Sequence, residues 1–307
     1  MTEETVPTFA PPDHVARVEP HLPPLPRESF DGLMIPGSTV WRVNGEVALL
    51  LGWGRAILLQ LAHPGVAAGV AQHSRFDAGP LARFVRLQRT LGTMLQISFG
   101  TTDEAVAATR RVDRIHDRVK GILVDEVAGA QKTISYAAQN PALLRWVHAT
   151  LVHSFLQTYE LFVEPLAPAE KDRYCADLQA IGPLLGVPDG YLPTGYAELL
   201  SYMNGMLASG DVQVGDTART LAGHLLAPLP VPMVKQPLTD LLTLPIVGLL
   251  PEDIRDAYGF PWDDRRERHL LLLASASRIL HRRLPARLHR WPQARRAAER
   301  FERSLAG

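Results

Sequence analysis

Apolar residues recur every three or four positions along most of the chain, which is the pattern of amphipathic helices. Period-two alternation is missing and β-branched runs are short, so the pattern predicts an all-α fold without strands. The predicted helices cover about residues 41–51, 55–62, 66–74, 80–99, 101–121, 141–164, 169–181, 194–208, 215–226, 236–249, 251–258, 262–282 and 292–304. Residues 52–54 (GWG) are predicted to separate the first two of these helices.

The ends of the chain differ from this pattern in composition. Residues 1–29 are rich in proline and poor in large apolar groups, which predicts an extended N-terminal arm. Residues 30–307 are predicted to form one large multi-helix domain, with the informative motifs in 40–165. From 263 to 303 arginine outnumbers the acids, which is typical of a solvated helical face and also fits a membrane surface or a partner face.

The helix at 101–121 carries a histidine among its apolar positions. Thr101 and Glu104 predict a capping box at its start, and Gly121 is expected to end it. His116 shares the spacing of Val112, Ile115 and Val119, which predicts that its ring lies on a buried stripe. A buried imidazole needs a hydrogen-bond partner or a metal. His116 is therefore either a satisfied core histidine or a ligand.

A second histidine, His148, falls on the inward face of the longest predicted helix, which begins at Pro141 after Asn140. We expect it to face the His116 helix across the core. His63 and His73 flank the helix at 66–74, ten residues apart, and taken alone each favours a cap or a packing role. Two inward histidines on successive helices favour a ligand site.

The helix at 80–99 places a guanidinium and a hydroxyl on one face. Arg86 and Thr90 are four residues apart, so together they are able to hold a carboxylate. The alternative is a solvated arginine face.

The composition excludes several classes of protein. The 32 basic and 32 acidic residues cancel, so no net field favours nucleic acid. One cysteine excludes an intramolecular disulfide framework and a thiolate metal cluster. No basic and then apolar leader and no apolar run of about 20 residues are present, which predicts a cytoplasmic protein without a transmembrane segment. Hydrolase, P-loop and dinucleotide motifs are also missing from the sequence.

A set of ordered motifs resembles the MpaB-type oxygenase family, which is related to the catalytic domain of the rubber oxygenase, or latex clearing protein. The segments are 51–55 (LGWGR), 60–64 (QLAHP), 70–76 (VAQHSRF), Arg86 with Thr90, 115–121 (IHDRVKG) and 146–151 (WVHATL). The resemblance covers about residues 40–270. It implies an all-α protein that binds one haem b through His116 as the axial iron ligand.

The resemblance also assigns roles to the other residues. Arg86, Arg89, His63 and His73 are expected to bind the cofactor, and Arg86, Thr90 and His148 to serve catalysis. In rubber oxygenases the position of Arg89 is a lysine that can occupy the distal side of the iron. Arginine keeps its proton, so the distal side is expected to be open or water-bound.

The function implied is a haem b-dependent oxygenase that uses O2 on an apolar small molecule, isoprenoid or otherwise unsaturated. Two alternatives remain from the residues alone. One is a haem-binding sensor or carrier without turnover, and the other is a helical interaction protein without haem.

Overall fold

The computed structural model describes residues 30–74, 79–227 and 243–306; the predicted arm at 1–29 and the first half of the helix predicted at 236–249 lie outside them. The elements are α1 (Thr39–Asn44), α2 (Leu49–Leu61), α3 (Pro64–His73), α4 (Pro80–Phe99), α5 (Thr102–His116), β1 (Lys120–Val127), β2 (Ala130–Ala137), α6 (Pro141–Phe162), α7 (Pro168–Leu178), α8 (Tyr196–Ser209), α9 (Asp216–Leu226), α10 (Glu252–Ala257), α11 (Asp264–Arg283), α12 (Ala286–His289) and α13 (Pro292–Ala306). Short 3-10 turns cover Gln179–Ile181 and Pro183–Leu185. The prediction of an all-α fold is confirmed, with one small hairpin added.

The centre of the fold is the packing of α2 against α6. The predicted break at residues 52–54 is wrong, because α2 runs straight through both glycines. A Cβ added at Gly52 would lie 2.8 Å from Thr158 Oγ1 and 3.1 Å from the Ser154 carbonyl oxygen. The glycine therefore serves close helix packing, and this gain outweighs its low helix propensity.

Capping residues set the helix starts as predicted. The Thr101 hydroxyl accepts the Glu104 amide, and the Glu104 carboxylate accepts the Thr101 amide, so the capping box of α5 is confirmed. The Asn140 side chain caps α6 by accepting the amide of Ala142. These bonds satisfy amides that have no partner within the helix.

The end of α5 differs from the prediction. The helix stops at His116, and Gly121 belongs to strand β1. β1 and β2 pair antiparallel through a two-residue turn in which Ala128 has φ 53° and Gly129 has φ 75°. Positive φ at both turn positions is the geometry that matches the right-handed twist of a hairpin.

The hairpin packs on α3 and α9. Its buried face presents Ile134 and Tyr136 to Ala68 of α3. Gly69 of α3 allows close approach, because a Cβ there would lie 3.2 Å from Val119 and 3.4 Å from Tyr136. The residues that follow His116 are thus fixed against α3.

Among the described residues, no helix combines the length and the apolar character that crossing a membrane requires.

Candidate functional site

His116 is the last residue of α5 and is half-buried. The buried positions of this helix are Ala105, Ala108 and Thr109, and Val112 and His116 continue the same face with partial exposure. Ile115 was predicted on the buried stripe, and this is wrong, because the side chain is 61% exposed. The imidazole also lies at the negative end of the helix dipole, which favours bound cations.

Arg86, Arg89 and Thr90 lie on α4, which packs against α5. Arg86 is half-buried, and burial lowers the pKa of its guanidinium without removing the charge at neutral pH. Arg89 and Thr90 are exposed. The Thr90 hydroxyl donates to the Arg86 carbonyl oxygen at 3.0 Å, the usual back-bond of a helical threonine. Arg86 is thus the member of this group that protein atoms partly enclose.

α4 and α5 each carry apolar positions that are open to solvent. Arg111 Nη2 lies 2.6 Å from Gln96 Oε1, and one helical turn further along this antiparallel pair come Gly92 and Ile115. A Cβ at Gly92 would meet no atom within 4 Å. Val85, two turns before Gly92 on α4, is 39% exposed. Ile115 directly precedes His116 in the chain, and Val85 directly precedes Arg86.

Two further histidines are held in the neutral form. His63 is buried and caps α3, with its Nδ1 accepting the Gly65 amide at 3.1 Å. Burial lowers the pKa of His63 to about 4, although the Asp211 carboxylate favours the charged ring. His148 keeps part of its surface exposed, but the protein packed around its imidazole lowers its pKa to about 4. Both rings are therefore neutral at pH 7.

The predicted histidines have different surroundings. His63 is used as a helix cap, which is one of the roles that the sequence left open. His73 is exposed, and its Nε2 lies 3.1 Å from the hydroxyl of Tyr136, which donates to Gln72. α5 packs mainly on α4 and on Pro183–Leu185 and not on α6, so His116 and His148 belong to helices that are not principal packing partners.

The sequence analysis missed a buried polar network between α2 and α6. Arg55 is 1% exposed; its Nη1 donates to Ser154 Oγ at 2.7 Å and lies 3.3 Å from His153 Nδ1, and its Nε donates to the Leu249 carbonyl oxygen at 2.6 Å. Burial lowers the pKa of Arg55 to about 9. Burial and the Arg55 charge lower that of His153 to about 3. A charged residue within the apolar run at 47–62 was the available signal.

The fold and the site define a helical protein in which a half-buried histidine and a half-buried arginine lie on two helices that pack together. The family model for the catalytic domain of "ER-bound oxygenase mpaB/B'/Rubber oxygenase" matches residues 41–279, and the chain belongs to this family. The chain is 28% identical over 235 residues to the uncharacterized proteins Rv2237 of Mycobacterium tuberculosis and Mb2261 of Mycobacterium bovis. Each alignment covers 75% of this chain and 88% of the relative. No solved structure matches the chain.

Proposed function

We propose that the protein is a haem b-dependent oxygenase in which His116 is the axial ligand of the iron. The observation that carries the proposal is the half-buried position of His116 at the end of α5, in a segment that resembles the haem-binding segment of the rubber oxygenases. The proposed substrates are O2 and an apolar, unsaturated small molecule of the isoprenoid class.

The side chains around His116 have the chemistry that a haem requires. A haem combines a large apolar ring with two carboxylates, and its iron takes imidazole as a ligand. Val85, Ile115 and the open position at Gly92 offer apolar surface, and Arg86 offers a partly desolvated cation for a carboxylate. This set supports haem better than a hard cation, which would need several carboxylates.

When bound, the haem would supply the redox chemistry with O2, and the protein would supply position and polarity. In this proposal His116 would bind the iron through a ring nitrogen, and Arg86 would hold a propionate through its planar fork. His148, kept neutral by burial, is able to donate a hydrogen bond to a polar group near it.

The test is the haem content of purified protein, measured by absorption and by the pyridine haemochrome assay. The parent protein and the His269→Ala variant are expected to bind one haem per chain, because His269 is exposed on α11. His116→Ala is expected to bind none while keeping its helical circular dichroism. The dichroism control separates the loss of a ligand from the loss of the fold.

The outcomes separate the alternatives. Haem-free parent protein after growth with added haem precursor would refute the haem assignment, and full haem in His116→Ala would refute the ligand. Haem-loaded protein that consumes no O2 with squalene, carotenoids and other isoprenoids would favour a sensor or carrier.

A further inference from the structure

A buried carboxylate of the N-terminal part of the chain meets two imidazoles of the C-terminal helices. Glu46, in the loop before α2, is 3% exposed. Its Oε2 lies 2.9 Å from Nδ1 of His289 and 3.2 Å from Nε2 of His281. The three ligand atoms all lie within 4.8 Å of one another, so they converge on one point.

The backbone holds this cluster together. Glu46 and Arg290 form an isolated antiparallel bridge, in which the Val47 amide donates to the His289 carbonyl at 2.8 Å. The Trp291 amide donates to the Gly45 carbonyl at 2.9 Å. His281 comes from the last turn of α11, and His289 is the last residue of α12. These bonds hold the loop that carries Glu46 against the C-terminal helices, so the three ligand atoms face one another.

We propose that Glu46, His281 and His289 form a binding site for a divalent transition-metal ion of the zinc type. Zinc binds imidazole nitrogen and carboxylate oxygen at about 2.0–2.2 Å. Around an ion at about 2.1 Å, octahedral and tetrahedral geometry separate neighbouring ligand atoms by roughly 3.0 and 3.4 Å. The observed separations of 2.9 and 3.2 Å are already close to this range.

The surroundings of the cluster also suit a metal ion. The two imidazole side chains are 22% and 19% exposed, which leaves access for the ion and for water as a further ligand. Arg290 contacts the other oxygen, with its Nε 3.4 Å from Glu46 Oε1. Oε2 is therefore left to the imidazoles, and the guanidinium orients the carboxylate, as outer groups around metal ligands commonly do.

The site lies at the border of the family domain. The family model ends at residue 279, so both histidines lie just beyond it, whereas Glu46 is inside. A metal ion here would tie the C-terminal helices to the loop that leads into α2. The proposed role is a structural clamp, separate from the haem chemistry.

The alternative is a hydrogen-bonded cluster in which both imidazoles donate to Oε2 without a metal. Calorimetric titration of the full-length, EDTA-treated protein with Zn²⁺ distinguishes the two. We expect one zinc per chain, at least tenfold weaker binding in His281→Gln and in His289→Gln, and unchanged binding in His269→Gln, which alters an exposed histidine on the same helix as His281. The proposal would be overturned if the protein showed no saturable zinc binding, or if neither ligand variant weakened that binding.

A second measurement needs no variant, so misfolding cannot affect it. Diethyl pyrocarbonate modifies unliganded imidazole nitrogens, and mass spectrometry reports the rate at each histidine. Saturating Zn²⁺ is expected to slow modification of His281 and His289 by at least tenfold and to leave His269 unchanged. Equal rates with and without zinc at the first two would contradict the site.

Discussion

The buried histidines predict that the fold loses stability in mild acid. His63 and His153 are 3% and 8% exposed, and their pKa values are lowered to about 4 and about 3. The ordinary histidine pKa is about 6.5, so the unfolded chain takes up protons between pH 6.5 and these lower values while the folded chain does not. Stability is fully present above pH 6.5 and falls as the pH falls.

The size of the effect follows from the proton equilibrium. At pH 5 the protonated form of an unfolded imidazole with a pKa of about 6.5 exceeds the neutral form by about 30 to 1. Both folded rings are still neutral at this pH. Each ring therefore lowers the free energy of unfolding by about 2 kcal/mol between pH 7.5 and pH 5. The two rings belong to different hydrogen-bond networks, so together they contribute about 4 kcal/mol.

The assay is urea unfolding at pH 7.5 and pH 5.0, with cofactor content matched. Asparagine is the suitable replacement, because its Oδ1 is able to accept the Gly65 amide in His63→Asn and the Arg55 guanidinium in His153→Asn. Between pH 7.5 and pH 5.0 the free energy of unfolding of each variant is expected to fall by about 2 kcal/mol less than that of the parent. For the double variant the fall is expected to be about 4 kcal/mol smaller. His269→Asn, which alters an exposed ring, should behave as the parent.

The result that would refute this reasoning is a parent-like loss in both asparagine variants. It would mean that the two rings are protonated in the folded state at pH 5, and that other groups cause the acid sensitivity.

Three further predictions follow from the site and the core. Arg86→Lys should weaken haem binding in a haem titration, because an ammonium does not hold a carboxylate at two points; parent-like affinity would place Arg86 on a solvated face. His148→Ala should keep haem and rapid CO binding by the ferrous protein but lose O2 consumption; a bis-histidine spectrum in the parent would instead make His148 a ligand. Gly52→Ala should cost about 1–3 kcal/mol in urea unfolding, because the added Cβ meets Thr158 and the Ser154 backbone; Gly205→Ala, in open space, is its control.

Signals that act within one helical turn made most of the helices predictable. The Thr101–Glu104 capping box and the Asn140–Pro141 start are local, and each appears where it was expected. The hairpin was missed because Gly121 was taken as a helix end. The turn at Ala128–Gly129 carried the signal of a β-hairpin, because glycine tolerates positive φ and β-branched residues precede the turn.

The site was predictable only in part, because its contacts are long-range. The sequence placed His116 on a helix by its spacing and made it an iron ligand by resemblance, but the exposure of Ile115 depends on which helices pack against α5. Arg55 interrupts an apolar run, and a charge buried in such a run needs hydrogen-bond partners. The identity of those partners, His153, Ser154 and the Leu249 carbonyl, appears only once α2 lies on α6.

The Glu46 cluster shows the same limit most clearly. His281 and His289 are eight residues apart, and Pro285 separates the helix of His281 from the helix of His289. The two histidines therefore share no helical face, and their spacing matches no metal-binding motif. Glu46 lies 235 residues before His281. What unites the three is a pair of backbone hydrogen bonds that join residues 45–47 to 289–291, and such pairing is governed by the packing of whole helices. A metal site of this kind is therefore a product of the tertiary fold, and its histidines have to be sought among spatial neighbours of buried carboxylates.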